Sequence, residues 1–464
     1  MTEDILHLCI KEKKPIYLVG IGGVSMSALA ELLIHCGGIV SGSDRSDSDT
    51  LAKLRALGAA VHIGHHGEQV AGAALVIRTA AVHDDNPEIA AARAQNIPIW
   101  ERAEAWGSMM KTYGQALCIA GTHGKTTTTS MASACGIEAG LDPAVMVGAY
   151  LPSLGGTLRI GADRLIIAES CEYCNSFLSF HPTVAVILNI DADHLDFFSG
   201  IDDIIASFRR FASLVPERGA VIANGDDEHV RRAVEGLSQR VITFGMDDKS
   251  DFYPADLVCE KGCYCFSILH HGAFVTAVRL AIPGLHNVKN ALACAAAMCF
   301  LGAPADAVAR GLAQFHGAAR RFERKGALNG ADIFDDYAHH PTEMRATLTT
   351  ARELGYERVI CVFQPHTYSR TKALFPAFVE ALRLCDIAVL ADIYAAREQN
   401  TFGISSRDIA DALPGARYFP SFEEIEAYLR DTLRPGDLVL TMGAGDVYKI
   451  GEMLAAAGVN PSAD

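Results

Sequence analysis

The residues best suited to chemistry lie in one short stretch, residues 118–131, which reads CIAGTHGKTTTTSM. The apolar run Ala116–Ala120 predicts a β-strand, and the segment that begins at Lys125 predicts a helix. The tight Gly-Thr-His-Gly turn between them would point backbone N–H groups and the positive end of the helix dipole at one spot. Lys125 adds a positive charge there, and Thr126 adds a hydroxyl for a bound Mg²⁺. The stretch therefore predicts a site for a nucleoside triphosphate.

The spacing of this loop is a shortened variant of the usual phosphate loop. The pattern G-x-x-x-x-G-K-[ST] requires glycine at position 119, where this chain has Ile119. Turns rich in glycine and threonine also occur between strands and helices without a nucleotide. The order Gly-Lys-Thr-Thr directly after a strand favours the phosphate-binding interpretation.

A second glycine turn, GIGGVS at residues 20–25, lies between a predicted strand at Ile16–Val19 and a predicted helix at Ser25–His35. It resembles G-x-G-x-x-G with Ser25 in place of the last glycine. Asp44 ends the next predicted strand, where a ribose-binding carboxylate would lie. The turn predicts a nucleotide diphosphate on a helix N-terminus. NAD, FAD and a UDP-sugar remain open as ligands, as does a turn without any ligand.

Polar residues also follow two predicted strands of the middle segment. Glu169 follows the strand Arg164–Ala168, and the run Asp191–His194 follows the strand Thr183–Ile190. Open α/β sheets place their chemistry at such strand ends. A carboxylate near the phosphate loop suits Mg²⁺. Imidazole is not a typical Mg²⁺ ligand, so the spacing alone leaves a hydrogen-bonded structural role open for His194.

Two asparagines follow Pro283-Gly284 at the start of a predicted helix. Asn287 and Asn290 are three residues apart and share one helix face, next to His286. Two amides on one face can bind a base or orient a phosphate. Capping of the helix N-terminus is an equal alternative for Asn287.

A last group of polar motifs lies in the C-terminal third. The motifs are RRFE at 320–323, DDYAHHPTE at 335–343, QPHTYSR at 364–370 and GAGD at 443–446. The last three follow predicted strands, at Ala331–Asp335, Arg358–Phe363 and Asp437–Thr441. Polar clusters at strand ends again predict a ligand-binding edge.

Composition limits the remaining classes of function. The formal net charge of −15 over 464 residues argues against a broad nucleic-acid surface, which needs a basic face. The thirteen cysteines lack paired metal-ligand spacing, so reduced thiols used partly as small hydrophobic residues are expected. The N-terminal residues lack a basic region followed by an apolar core, and the apolar run Ala291–Ala303 is too short to span a membrane. We expect a cytoplasmic protein without membrane or nucleic-acid partners.

The length and the strand–helix alternation predict an α/β protein of three domains. Residues 1–112 are expected to form a Rossmann-like domain. Residues 113–316 are expected to form a P-loop-type ATP-binding α/β domain with a small antiparallel insertion at 241–282. Residues 317–464 are expected to form a second Rossmann-like α/β domain.

Eight motifs together resemble the Mur ligases of peptidoglycan synthesis, and within them the branch that adds L-alanine. They run in the family's order from residue 20 to residue 446 and read GIGGVSMS, GTHGKTTTT, DADHLD, PGLHNVKN, GAARRFE, DDYAHHPTE, FQPHTYSRT and MGAGD. The resemblance implies an N-terminal domain that holds a UDP-sugar, a central domain that binds ATP, and a C-terminal domain that closes over both and helps to bind the amino acid. It also implies ATP-driven ligation of L-alanine to the lactyl carboxylate of UDP-N-acetylmuramate through an acyl phosphate.

The resemblance also implies roles for individual residues, with ATP and Mg²⁺ as cofactors. The expected catalytic residues are Lys125, His194, Arg321, Asp336 and His339, and the expected Mg²⁺ ligands are Thr126, Glu169 and His194. The expected ATP-binding residues are Gly121, Thr122, His123, Gly124, Lys125, Thr126, Thr127, His286, Asn287, Asn290, Arg321 and Asp336. The expected UDP-sugar-binding residues are Gly20, Gly22, Gly23, Val24, Ser25, Asp44 and Thr79. The expected amino-acid or substrate-binding residues are Tyr337, His339, His366 and Arg370.

The chain departs from the family pattern at three places. One is that residues 195–215 contain no lysine, whereas other family members use a carbamylated lysine near this stretch for a second metal, and this absence fits the branch that adds L-alanine. Residues 170–177 read SCEYCNSF, where many alanine-adding enzymes have a more acidic run. Glu172 and Ser176-Phe177 keep the frame of the motif, and the resemblance leaves the detailed role of Glu172 open. Thr367 stands where an arginine often lies, so one contact to a substrate carboxylate is expected to be lost or moved.

Three alternatives compete with this interpretation. A recycling ligase that attaches a tripeptide to the same sugar nucleotide shares most of the motifs. A nicotinamide-dependent oxidoreductase would explain GIGGVS but not GTHGKTTTT. A nucleotide switch without catalytic activity would show no turnover that depends on a second substrate.

Overall fold

Parallel β-sheets form the framework of the chain, as the strand–helix alternation predicts. The computed structural model describes residues 4–458, which pack as two units. The first unit contains the chain up to Asp191, together with Ile201–Phe244 and Ala293–Val308. The second unit contains Ala192–Gly200, Gly245–Leu292 and the chain from Ala309 onward.

The N-terminal part of the first unit is a parallel sheet with helices. Its strands are β1 (Pro15–Val19), β2 (Ile39–Asp44), β3 (Ala60–Ile63), β4 (Leu75–Arg78) and β5 (Ile99–Glu101). Its helices are α1 (Ile5–Lys11), α2 (Val24–His35), α3 (Asp49–Ala56), α4 (Pro87–Ala94) and α5 (Arg102–Met110). The five strands are parallel in the order β3-β2-β1-β4-β5, which confirms the expected Rossmann-like topology.

The phosphate loop belongs to the second sheet of the first unit. The strands of this unit are β6 (Gln115–Ala120), β7 (Ala144–Leu151), β8 (Gly156–Arg159), β9 (Leu165–Glu169), β10 (Val184–Ile187), β11 (Ala220–Asn224) and β12 (Val241–Phe244). Its helices include α6 (Lys125–Glu138), α7 (Ile201–Ser213) and α8 (Glu228–Val234). The strands lie in the order β12-β11-β10-β6-β9-β7-β8, and β8 alone is antiparallel to its neighbour. The predicted strand before the loop and the helix after it are confirmed.

Two expectations about this sheet were wrong in detail. The antiparallel insertion was expected to begin at residue 241, but Val241–Phe244 pairs in parallel with β11 and belongs to the main sheet. The strand expected at Thr183–Ile190 ends at Ile187, because the next residues leave the sheet to bond with the phosphate loop.

The second unit begins its regular structure with an antiparallel meander. Its strands are β13 (Phe252–Glu260), β14 (Cys263–His270) and β15 (Ala273–Pro283). Helix α9 (Leu285–Phe300) follows, and it belongs to this unit up to Leu292 and to the first unit from Ala293 onward. Tyr264, Phe266 and Ile268 are buried while their neighbours along β14 are not, the period of two expected for a strand with one buried face. The Tyr264 hydroxyl lies 3.2 Å from a carboxylate oxygen of Glu353.

The C-terminal sheet of the second unit contains six strands. They are β16 (Glu323–Leu328), β17 (Ala331–Asp336), β18 (Arg358–Phe363), β19 (Ile387–Leu390), β20 (Arg417–Tyr418) and β21 (Asp437–Met442). The helices are α10 (Ala305–Gln314), which straddles the two units, α11 (Pro341–Glu353), α12 (Tyr368–Ala373), α13 (Phe375–Leu382), α14 (Ser406–Asp411), α15 (Phe422–Thr432) and α16 (Tyr448–Gly458). The order is β16-β17-β21-β18-β19-β20, with β16 antiparallel and the others parallel.

This sheet confirms the four C-terminal strands that the sequence predicts and adds two that the sequence does not reveal; the predicted strands are Ala331–Asp335, Arg358–Phe363, Ile387–Leu390 and Asp437–Thr441. Strand β16 reads ERKGAL and lies at the edge of the sheet, so charged side chains hide its pattern. Strand β20 has two residues. Among the helices of residues 4–458, none has the length and apolar character needed to cross a membrane.

Gly107 allows helix α5 to approach the segment Tyr173–Ser179 closely. A Cβ atom at Gly107 would overlap the carbonyl oxygen of Ser179. We therefore expect Gly107→Ala to lower the free energy of unfolding by about 1–3 kcal/mol, the usual effect of overpacking a close contact. Gly156→Ala is the matched control, because a Cβ atom there would lie 4.0 Å from its neighbour, the Leu158 nitrogen. Urea unfolding of both variants tests this, and equal stabilities would contradict it.

Candidate active site

The phosphate loop connects β6 to α6 through two glycines with positive φ. Gly121 has φ 147° and Gly124 has φ 82°, values that side chains strongly disfavour. A Cβ atom at Gly121 would also lie 2.8 Å from the Cβ atom of Leu188. Both positions therefore require glycine, and the loop has one defined backbone path.

Residues that follow β10 hold this loop in place. The Thr122 amide donates to the Asn189 carbonyl at 3.1 Å, and the His123 amide donates to Asn189 Oδ1 at 2.7 Å. Asn189 Nδ2 donates in return to the His123 carbonyl at 3.0 Å. The Asp191 amide donates to Thr122 Oγ1 at 2.9 Å. The end of β10 thus fixes the loop from one side.

Lys125 lies at the centre of the loop and pairs with a buried carboxylate. Its Nζ atom donates to the carbonyls of Gly121 and Thr122, at 2.6 and 3.1 Å, and lies 3.0 Å from Glu172 Oε2. The Glu172 residue is only 2% exposed. Burial disfavours the charged lysine, but the nearby Glu172, Cys171 and Glu169 outweigh burial and hold the pKa of Lys125 above its usual range. Lys125 therefore presents a fixed positive charge.

Thr126 and Glu169 form a second polar pair beside the loop. Thr126 Oγ1 donates to Glu169 Oε1 at 3.0 Å, and Glu169 Oε2 accepts from the Gly148 amide at 2.7 Å. The pair forms because β6 and β9 are parallel neighbours that end at the same edge. A hydroxyl and a carboxylate are oxygen ligands of the kind that Mg²⁺ prefers.

The glycine turn of the first sheet is fixed by the end of β2. The amides of Gly20 and Ile21 both donate to the Ser43 carbonyl, at 2.8 and 2.9 Å. The Gly22 amide donates to Asp44 Oδ2 at 2.9 Å. Thr79, which follows β4, lies 3.2 Å from the position of a Cβ atom at Gly20. The structure thus brings the turn, Asp44 and Thr79 to one edge.

In the second unit, Asp193 binds Arg370, one of the predicted substrate-binding residues, and Arg370 contacts a second one, His366. Its Oδ1 atom accepts from Nε and Nη2 of Arg370, at 3.1 and 2.8 Å, and from the His194 amide at 2.8 Å. Arg370 Nη1 lies 3.2 Å from His366 Nδ1. Burial opposes the Asp193 charge, but Arg370, His194 and His339 hold the pKa of this carboxyl well below its usual range.

Two histidines of this cluster stay neutral near pH 7. The rings of His339 and His366 are 5.9 Å apart, and that of Tyr337 lies 5.5 Å from His339. Burial lowers the pKa of His339 to about 4. Burial, aided by His339 and Arg370, lowers the pKa of His366 to about 4 as well. Neutral imidazoles can accept a proton or a hydrogen bond.

Asp336 and Arg321 form the neighbouring part of the same sheet edge. Asp336 accepts from the amides of Phe322 and Ala338, each at 2.8 Å. Burial raises the pKa of Asp336 to about 6, although the nearby Arg321 opposes the shift. The Arg321 guanidinium lies over the Tyr337 ring at 4.9 Å.

The two asparagines of α9 lie together, as their spacing predicts. Asn290 Nδ2 donates to Asn287 Oδ1 at 3.0 Å, and Asn287 Nδ2 donates to the Pro283 carbonyl at 2.6 Å. The capping alternative for Asn287 was wrong. Asn287 lies inside the helix, and its side chain donates to the Pro283 carbonyl, whereas a capping side chain accepts from a backbone N–H of the first turn. His286 is exposed on that turn.

Three residues of these clusters carry contacts that the sequence did not assign to them. Glu172, Asn189 and Asp193 lie in loops that follow strands, and their contacts depend on how those loops fold back. The only signal in the sequence was a polar residue shortly after a strand, and for Asp193 that distance is six positions after the end of β10. His194 belongs to the second unit, where its Nε2 atom lies 3.9 Å from Asp193 Oδ2.

Three protein-family models match the chain. The model described as the Mur ligase family, catalytic domain matches residues 15–113, and the Mur ligase middle domain matches residues 119–298. The Mur ligase, glutamate ligase domain matches residues 320–445. The chain therefore belongs to the Mur ligase family, and its architecture is that of three α/β domains with parallel sheets.

Within that family, the chain is similar over nearly its full length to individual ligases. A UDP-N-acetylmuramate–L-alanine ligase of Agathobacter rectalis is 50% identical over 449 residues, or 95% of this chain and 98% of the relative. A protein of the same name from Caldanaerobacter subterraneus is 44% identical over 452 residues, or 96% and 98%. The crystal structure of the UDP-N-acetylmuramate–alanine ligase of Thermotoga maritima matches with a TM-score of 0.81 and 28% identity, covering 96% of this chain and 99% of that chain.

Thr367 is strained, with φ 68° and ψ 146°, a region that β-branched residues avoid. Bonds to Tyr394 and Thr371 keep it there. We expect Thr367→Gly to raise the free energy of unfolding by about 1 kcal/mol, because relief of strain exceeds the entropy that glycine adds to the unfolded chain. Thr367→Ser keeps the Cβ atom and should give no gain. Chemical unfolding measures both, and a glycine variant no more stable than the serine variant would refute the strain.

Proposed function

We propose that this protein joins L-alanine to the lactyl carboxylate of UDP-N-acetylmuramate with the energy of ATP. The observation that carries the proposal is the charged Lys125 on the phosphate loop beside the Thr126–Glu169 pair, in a chain 44–50% identical to ligases of that name. The carboxylate attacks the γ-phosphorus of ATP and ADP leaves. The alanine amine then attacks the acyl phosphate, and phosphate leaves as the amide forms.

The phosphate loop would bind ATP through residues 121–127. Lys125 would leave its loop carbonyls and contact the transferring phosphoryl group, whose negative charge it stabilises. His286, Asn287 and Asn290 on α9, together with Arg321 and Asp336, are the proposed further contacts to the nucleotide. The buried ion pair with Glu172 would keep the Lys125 side chain near the loop between turnovers.

Mg²⁺ fits the oxygen pair of Thr126 and Glu169, which lie 3.0 Å apart. When bound, Mg²⁺ would neutralise charge on the phosphate oxygens and so favour attack by the carboxylate. We propose Thr126 and Glu169 as its ligands and His194 as the ligand of a second ion. Removal of divalent ions should therefore abolish turnover.

The sugar nucleotide would bind at the glycine turn of the first sheet. The helix dipole of α2 and the amides of Val24 and Ser25 suit a diphosphate, and Gly22 and Gly23, which lack side chains, would let it approach the turn closely. Asp44, at the end of β2, is the proposed ligand of the ribose, and Thr79 would contact the same nucleotide.

The histidine–arginine cluster would receive the amino acid. Arg370 suits the carboxylate of L-alanine, and its bond to Asp193 fixes its orientation. The ammonium group must lose a proton before it attacks, and neutral His339 or His366 can accept that proton. Tyr337 would complete the contact surface.

The competing functions lack comparable support. The relatives at 44–50% identity are named for the alanine reaction. The solved murein peptide ligase of Psychrobacter arcticus, at 22% identity and a TM-score of 0.72, shares the fold alone. An oxidoreductase or a nucleotide switch leaves the C-terminal cluster without a role.

Lys125→Ala should lower kcat by roughly 10²–10³, the effect of removing one group that stabilises transition-state charge. The substitution also leaves the Glu172 carboxylate buried without its partner, which destabilises the fold. The double variant Lys125→Ala/Glu172→Gln removes that unpaired charge. We expect it to recover thermal stability but not activity. Recovery of kcat in the double variant would mean that the loss was structural.

Phosphate release should require ATP, Mg²⁺, UDP-N-acetylmuramate and L-alanine together. Omitting each component in turn, and replacing L-alanine with glycine, L-serine or the tripeptide, measures the requirement directly. The expected result is background release without any one component and the highest kcat/KM with L-alanine. Rapid ATP hydrolysis without the sugar nucleotide, or a preference for the tripeptide, would overturn the proposal.

A further inference from the structure

A fully buried carboxylate lies under the proposed sugar-nucleotide site. Glu88, in the first turn of α4, is 0% exposed. Its Oε1 atom accepts from the Tyr17 hydroxyl at 2.7 Å. Its Oε2 atom accepts from the Ser43 hydroxyl at 2.7 Å and lies 2.8 Å from His65 Nδ1. Burial of a carboxylate costs free energy, which the hydrogen bonds from its neighbours offset. Such an arrangement indicates that the carboxylate serves to hold those neighbours in place.

The network leads directly to the glycine turn through Ser43. The Ser43 hydroxyl is bound to Glu88, whereas its carbonyl accepts from the amides of Gly20 and Ile21. The next residue, Asp44, accepts from the Gly22 amide. Glu88 therefore fixes Ser43. Ser43 in turn holds the glycine turn through its carbonyl and is bonded directly to Asp44, the proposed ribose ligand.

The chemistry of the site requires a carboxylate rather than an amide. Two hydroxyl donors and the Nδ1 atom of His65 converge on its two oxygens, which together offer enough lone pairs for all three. A glutamine would place an NH₂ group against one of these donors, and that donor would have to turn away. The surface pair of Glu31 and Lys53 in the same domain has no such consequence.

We propose that Glu88 is a positioning residue for the sugar-nucleotide site, acting through Ser43 on the glycine turn and Asp44. This inference rests on the proposed function, because it needs that turn to bind the UDP part of the substrate. Glu88 does not contact the ligand. Its substitution should weaken binding at this site selectively and leave the ATP site unchanged.

Titration calorimetry of the full-length protein with UDP, and separately with a non-hydrolysable ATP analogue, tests the inference. Glu88→Gln should raise the Kd for UDP about tenfold, which corresponds to ~1.4 kcal/mol, and change the Kd for the ATP analogue less than twofold. Ser43→Ala keeps the bonds of Tyr17 and His65 to Glu88, and it should weaken UDP binding in the same direction. Glu31→Gln is the matched control and should leave both constants unchanged.

The outcomes separate the inference from the function on which it rests. UDP affinities of Glu88→Gln and Ser43→Ala equal to that of the unmodified protein would overturn the inference alone. Equal weakening of UDP and the ATP analogue would show a general structural role and would also overturn it. Absence of UDP binding by the unmodified protein would overturn the proposed function and the inference with it. If Glu88→Gln does not fold, Ser43→Ala decides the question.

Discussion

The buried ion pair of Lys125 and Glu172 is the interaction on which the phosphate loop depends. The ammonium group of Lys125 contacts both the two loop carbonyls and the carboxylate of Glu172, which follows β9 in the chain. Loss of one partner from a buried pair costs about 3–5 kcal/mol, so the two residues stabilise the loop only together. The proposed phosphate ligand would find a lysine that is already charged, and Glu172 would keep that lysine near the loop while it moves from the two carbonyls to the phosphate.

Each sheet places its polar residues at the carboxyl ends of parallel strands, where neighbouring strands end side by side. In the second sheet, β6 and β9 bring Thr126 to Glu169. In the C-terminal sheet, Arg320 donates to Asp335 and to the carbonyls of Gly443 and Gly445, and so ties the loop after β21 to the end of β17. The same topological rule therefore accounts for the position of the Thr126–Glu169 pair and for that of the residues at the end of β17.

Local motifs predicted those parts of the site that a single segment determines. Lys125 and Thr126 follow from one loop, and Glu169 follows from one strand end. Glu172 could not be assigned, because its role depends on a turn that brings it back to a loop 47 positions earlier in the chain. Asp193 is similar, since its partner Arg370 is 177 residues away. The strain at Thr367 depends on bonds to Tyr394, which no local pattern reveals. Edge strand β16 was missed because charged residues interrupt its apolar pattern.

If γ-phosphoryl transfer to a carboxylate drives amide formation at this site, an oxygen atom of that carboxylate must end in the released phosphate. UDP-N-acetylmuramate labelled with ¹⁸O in the lactyl carboxylate is incubated with ATP, Mg²⁺ and L-alanine, and the released phosphate is analysed by mass spectrometry. With an acyl phosphate, each released phosphate carries one oxygen from the carboxylate, so we expect ¹⁸O-labelled phosphate in an amount equal to the amide formed. Amide formation with unlabelled phosphate would contradict it.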